Sequence, residues 1–158
     1  MDWGKEVLEV VNTSDGEVLE LLLNIFHQEP VATFEAIKQK NVGVIVKVPL
    51  DSGWLSGRYH KGSTFVGIRT RWSPEVIARR CAMLEKIEFV KEDGVTLPQA
   101  ALRFVLAFDV ISSVMPGTRD LEHLKVSLSA AEKEMPKGTV ERLRAFWKAE
   151  LEKDPLPW

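Results

Sequence analysis

Residues 43–59 read GVIVKVPLDSGWLSGRY. The β-branched apolar run up to Pro49 predicts a strand, and its apolarity is that of a strand buried on both faces of a parallel sheet. A glycine-punctuated loop follows the run. Lys47 sits inside it, and an ammonium in a strand of that kind needs a partner.

Two further apolar runs predict strands, EVLELLLNIF (Glu17 to Phe26) and VISSVMPG (Val110 to Gly117). Helices are expected between and around them. One runs from Trp3 to Val11 and another from Val31 to Lys40, opened by Pro30 and stopped by Asn41 and Gly43. Ser73 is an N-cap with Pro74 behind it, opening a helix to about Lys91. Thr96 and Gln99 form a capping box for a helix through Ala107. Over Asp120 to Lys133, Leu121, Leu124 and Leu128 fall on one face, which is expected to pack inward. A last helix after Gly138 is expected to pack through Leu143, Phe146 and Leu151. Short strands alternating with helices predict βαβ units and a parallel α/β sheet. Three strands are few for such a sheet, so the chain reads as one domain, 1–158, that is part of a larger α/β object.

The composition excludes several classes. Of 158 residues, 45% are hydrophobic and 28% charged, which argues against disorder. A net charge of −2 lacks the basic stripe of a nucleic-acid binder. No apolar run is long enough to span a bilayer, so no membrane role is expected. The single Cys81 cannot form an internal disulfide and reads as a small core residue, and the expected compartment is a reducing cytoplasm.

In α/β folds chemistry sits where strands end and helices begin. Three such ends are present: NIFHQEP, PLDSGWLSGRY and MPGTRDLEH. In the third, Gly117 permits close approach to a helix start, and Arg119, Lys125 and His123 add positive charge, an arrangement suited to an anion or to a plain strand-to-helix turn. His27, His60 and His123 have no cysteine or carboxylate at metal-ligand spacing, so no metal is expected. Tyr59 is expected to pack its loop down, and Trp54 and Trp72 to serve in packing.

The segments NIFHQEP, GVIVKVPLDSGWLSGRY, TLPQAALRFVL and SSVMPGTRDLEHL, in this order and spacing, resemble the aldo-keto reductase family. The resemblance covers nearly the whole chain and implies a partial, half TIM-type (β/α)8 barrel: the last three strands, parallel, with their helices. It implies a nicotinamide cofactor, NADP(H), weakly bound. The family's catalytic Asp, Tyr, Lys and His come from the first half of the barrel. No catalytic residue is therefore assigned here, and Tyr59 does not align with the catalytic tyrosine.

The resemblance assigns cofactor-binding positions one by one. Leu50, Ser52, Gly53, Leu55 and Ser56 match the segment that wraps the pyrophosphate. Gly117, Thr118 and Arg119 match the loop that holds the adenosine 2′-phosphate. Beyond it, where the family has Arg or Gln and then Glu-Asn, this chain has His123, Val126 and Ser127, which removes the acid and the amide used for adenine. Lys47 falls where an aromatic residue often stacks on the nicotinamide, and Glu20 where a Gln holds its carboxamide. A buried Glu20–Lys47 pair inside the barrel is expected, with Lys47→Met destabilising by roughly 3–5 kcal/mol.

Three functional readings follow. In one, the chain keeps a partial NADP(H) surface without hydride transfer of its own. In another, it is a structural or interaction protein that forms a homodimer or higher even oligomer. In the third, a separate N-terminal half completes an enzyme in trans. A bare inner sheet face motivates the oligomer; Leu21, Leu23, Ile45 and Val114 are its candidates, and strand alternation leaves open which of them point inward.

Overall fold

The computed structural model describes residues 3–157; Met1, Asp2 and Trp158 of the expected 1–158 domain lie outside the described residues. Three strands, β1 (Val18–Leu22), β2 (Gly43–Lys47) and β3 (Ile111–Met115), form one sheet in the order β1-β2-β3. Both pairings are parallel, and the sheet is not closed. The strands end sooner than their apolar runs do, for local reasons. After β1, the Asn24 side chain accepts from the amides of Phe26 (2.9 Å) and His27 (3.1 Å), turning the chain at once. Its Nδ2 donates to Val48 O at 3.0 Å. After β2, Val48 takes φ 54°, which no strand tolerates.

The helices are α1 (Trp3–Thr13), α2 (Phe34–Gln39), α3 (Pro74–Lys86), α4 (Leu97–Leu106), α5 (Leu121–Ala130) and α6 (Lys137–Glu150). The helix expected from Val31 begins as a tighter 3-10 turn, Glu29–Thr33, before α2. The helix expected to reach Lys91 stops at Lys86, and a 3-10 segment, Glu88–Gly94, follows. The Ser73 N-cap and the Thr96–Gln99 capping box form as expected. Cys81 is buried, and so are Leu143 and Leu151, with Phe146 packed against them.

The sheet has one covered and one open face, which corrects two expectations. Leu19, Leu21, Val44, Val46, Ile111 and Val114 share the helix-covered face through their register. Leu21, Val44 and Val46 there are buried. The open face instead carries Val18, Glu20, Leu22, Ile45, Lys47, Ser113 and Met115. Of the four candidates for the inner face, Ile45 alone is there: Leu21 and Val114 point to the helices, and Leu23 lies past the strand in the core. β2 is thus buried on one face, not two.

α5 overturns a third expectation. Leu121, Leu124 and Leu128 are 64%, 41% and 62% exposed. The helix seats on α4 by its other side, where Gln99 Nε2 donates to Ser129 Oγ (2.9 Å) and Arg103 Nε to Ala130 O (3.3 Å). Small and polar side chains make that seat, so the leucine stripe is left over.

Candidate functional site

Parallel strands bring all three strand ends to one edge of the sheet. Lys47 pairs with Met115 in register, so the loops that follow β2 and β3 leave side by side. The Asn24–Val48 hydrogen bond ties the β1 end to the same place.

The loop after β2 is wound tightly. Leu50 O accepts from the amides of Gly53 (2.9 Å) and Leu55 (3.2 Å). Ser56 Oγ donates to Gly53 O at 2.5 Å. Val48, Asp51 and Ser52 hold φ values of 54°, 48° and 55°, a left-handed path that non-glycine residues follow at a cost of about 1–3 kcal/mol each. Gly53 has φ 99°, and a Cβ there would meet the Tyr59 ring at 3.2 Å, so both backbone and space require glycine. Tyr59 packs the loop down as expected. Its ring joins Trp54, Phe65 and Trp72 in a cluster with centroids 4.9–5.4 Å apart. Leu55 and Trp54 are wholly buried, so Leu55 anchors the loop and presents no side chain to a ligand. Leu50, Ser52, Gly53 and Ser56 are half-buried at its surface.

Beneath the loop lies a buried charge cluster. Arg80 Nη1 donates to Asp51 Oδ2, and His27 Nε2 lies 3.4 Å from Asp51 Oδ1. Arg80 Nη2 donates to Pro157 O at 2.7 Å, and its guanidinium carbon lies 5.5 Å from the ring centroids of both Trp54 and Trp72. Burial pushes the Asp51 carboxyl up, but His27 and Arg80 together outweigh it and hold the group below its ordinary value. The guanidinium stays protonated at any ordinary pH.

After β3, Gly117, Thr118 and Arg119 are exposed, and a Cβ on Gly117 would meet nothing within 4 Å. Asp120 caps α5. Its Oδ1 accepts from His123 N at 2.9 Å, and its Oδ2 lies 3.0 Å from His123 Nδ1. Lys125 pairs with Glu122 at 2.8 Å. A carboxylate therefore occupies the helix start and takes up one of its amides.

Lys47 Nζ lies 3.1 Å from Glu20 Oε1, so the expected pair forms. It does not form in a dry interior. The two side chains are 44% and 51% exposed on the open face. Beside them a groove of about 140 Å³ runs between α1 and β1, lined by Val7, Val10, Leu19 and Leu22.

No local sequence pattern marks the buried cluster. Its members come from three separate segments. The available signal was Arg80 on the apolar side of α3, beside Cys81, Met83 and Leu84. Among the described residues no cluster of His, Cys, Asp and Glu suits a metal ion, and no helix is long and apolar enough to cross a membrane.

Comparison with known proteins places this geometry. The model of the aldo/keto reductase family matches residues 11–148. The uncharacterized oxidoreductase YrpG of Bacillus subtilis is 30% identical over 109 residues, which are 68% of this chain and 33% of that protein. The holo form of aldo-keto reductase AKR11C1 from Bacillus halodurans superposes with a TM-score of 0.71 at 18% identity, over 98% of this chain and 50% of the other. The glycerol dehydrogenase AKR11B4 from Gluconobacter oxydans gives 0.70 at 16% identity, over 85% of this chain and 43% of the other. The solved structures share the fold, and the chain spans between a third and a half of the length of these relatives.

Proposed function

Since the chain belongs to the aldo/keto reductase family, we propose that it keeps a partial NADP(H)-binding surface along the strand-end edge and transfers no hydride by itself. The observation that carries this reading is the Lys47–Met115 pairing, which sets the loops after β2 and β3 side by side. The residues fit the cofactor in part. Ser52, Gly53 and Ser56 lie at the surface of a tightly wound loop suited to a pyrophosphate. Thr118 and Arg119 would hold the 2′-phosphate, the guanidinium making charge-assisted hydrogen bonds to it. His123, engaged by Asp120, contributes through the helix start and not as a free cation. Glu20 and Lys47 sit where the nicotinamide is expected, and their pairing competes with it for that space. A bound nicotinamide would supply or accept hydride there. Among the described residues, the Tyr59 ring is engaged over Gly53 and within the aromatic cluster, which argues against a proton-donor role for it. A single buried thiol suits a reducing compartment such as the cytoplasm.

Calorimetric titration tests the reading. NADPH is expected to bind weakly and more tightly than NADH, and Arg119→Ala to abolish the difference. Equal affinities, or no effect of the substitution, remove the phosphate site. An NADPH-oxidation rate with an aldehyde that exceeds a protein-free control, and is lost on substitution of a residue of this chain, removes the claim of inactivity.

A second reading, a structural or interaction protein, is favoured by the apolar side chains at both free edges. Val10 lies on α1 and Val18 on β1, Met115 ends β3, and Leu121 and Leu128 lie on α5, all between 45% and 64% exposed. Exposed apolar side chains beside unpaired strand edges suit association. The partner is a second copy, giving a homodimer or higher even oligomer, or a separate N-terminal half that restores an enzyme in trans.

A further inference from the structure

The segment 151–157 returns across α3 and is fixed there at several points. Leu151 and Leu156 are buried at 0% and 2% exposure. Arg79 Nη2 lies 2.9 Å from Asp154 Oδ2, and Arg79 Nη1 donates to Pro155 O at 3.4 Å. The next residue of α3, Arg80, donates to Pro157 O and to Asp51 at once. One guanidinium, 1% exposed, therefore bridges the 151–157 segment and the loop after β2.

That loop is under tension. Three of its non-glycine residues hold left-handed φ values. The indole nitrogens of Trp54 and Trp72, and Arg80 Nε, are buried without a hydrogen-bond partner among the described residues. Such features persist where the surroundings over-determine them. Here the surroundings are the Asp51 carboxylate below the loop, the guanidinium beside Trp54 and Trp72, and the carbonyl of Pro157 that accepts from the guanidinium's Nη2. Lifting the segment takes away that carbonyl and the Leu156 side chain together. It leaves Arg80 with a second unmatched buried donor, Nη2 beside Nε, and admits water beside the aromatic cluster.

We infer that Arg80 is a latch which couples the 151–157 segment to the 48–72 segment, so that release of the first opens the second. The latch makes the 151–157 segment a control point. Whatever draws it off α3 loosens a loop that starts on the far side of the guanidinium. The coupling is tested without any ligand.

Amide hydrogen exchange read by mass spectrometry on the 158-residue chain tests it. In Leu156→Ala the anchor of the segment is cut back, and exchange in 48–72 should rise about tenfold or more, with 43–47 of β2 much less affected. Arg80→Lys keeps the charge but loses the two-pronged donor, and should speed exchange in 48–72 and in 151–157 together. A rise confined to 151–157 in Leu156→Ala overturns the inference, and so does an equal rise over the whole chain. Should neither variant fold, the wild type decides by its urea dependence. One shared opening free energy for the two segments supports the latch, and two distinct ones overturn it.

Discussion

Lys47 Nζ and Glu20 Oε1 lie 3.1 Å apart on the open face of the sheet, diagonally across neighbouring strands, with both side chains about half exposed. Water reaches both groups, and ion pairs in that setting contribute about 0–1 kcal/mol. Lys47→Met should therefore change the urea-denaturation free energy by less than about 1 kcal/mol, not by the larger amount that a buried pair implies. A loss above about 3 kcal/mol would mean that the face is covered in solution.

The buried pair is Asp51 with Arg80 instead, each 1% exposed. Arg80→Met leaves a carboxylate in the interior and should destabilise by roughly 3–5 kcal/mol, as should Asp51→Asn. The double variant should recover a large part of the loss, because it leaves no stranded charge. Additive losses in a double-mutant cycle would show that the two side chains act separately.

The same carboxyl predicts an acid dependence. Its folded value lies below its ordinary 3.8, so the stability it contributes is fully present above about pH 4 and is lost as the pH falls through the folded value. The difference in stability between wild type and Asp51→Asn should shrink as the pH falls below about 4. A gap that holds or widens at pH 3 contradicts the assignment.

The helices and turns were legible because their signals are local. Ser73 with Pro74, and Thr96 with Gln99, each satisfy helix-start amides within one turn, whatever the rest of the chain does. Faces were less legible. An apolar run does not say which of its alternate side chains meets the helices, and Leu21 and Ile45 took opposite sides. The leucine stripe of α5 misled because its periodicity is that of a packed helix, while the seat on α4 is made by Ser129 and Ala130. The Glu20–Lys47 contact was readable from position, but its exposure depends on what covers the open face. The Asp51–Arg80–His27 cluster depends on contacts between segments far apart in sequence.

The exposed flanks predict association. Covering roughly 1,000 Å² of apolar surface at about 25 cal/mol per Å² contributes on the order of 25 kcal/mol before association costs. Sedimentation at micromolar concentration should show a dimer or a higher even oligomer, and Leu121→Lys with Leu128→Lys should shift it toward monomer. A well-folded monomer whose melting does not depend on concentration removes this prediction.

The most direct test of the central claim is a two-dimensional amide NMR titration of the 158-residue chain with NADPH. Shifts should saturate and gather at residues 50–56 and 117–119, with the Arg119 neighbourhood silent when NADH is used instead. Shifts that are absent at millimolar NADPH, or that gather away from the strand-end edge, contradict it.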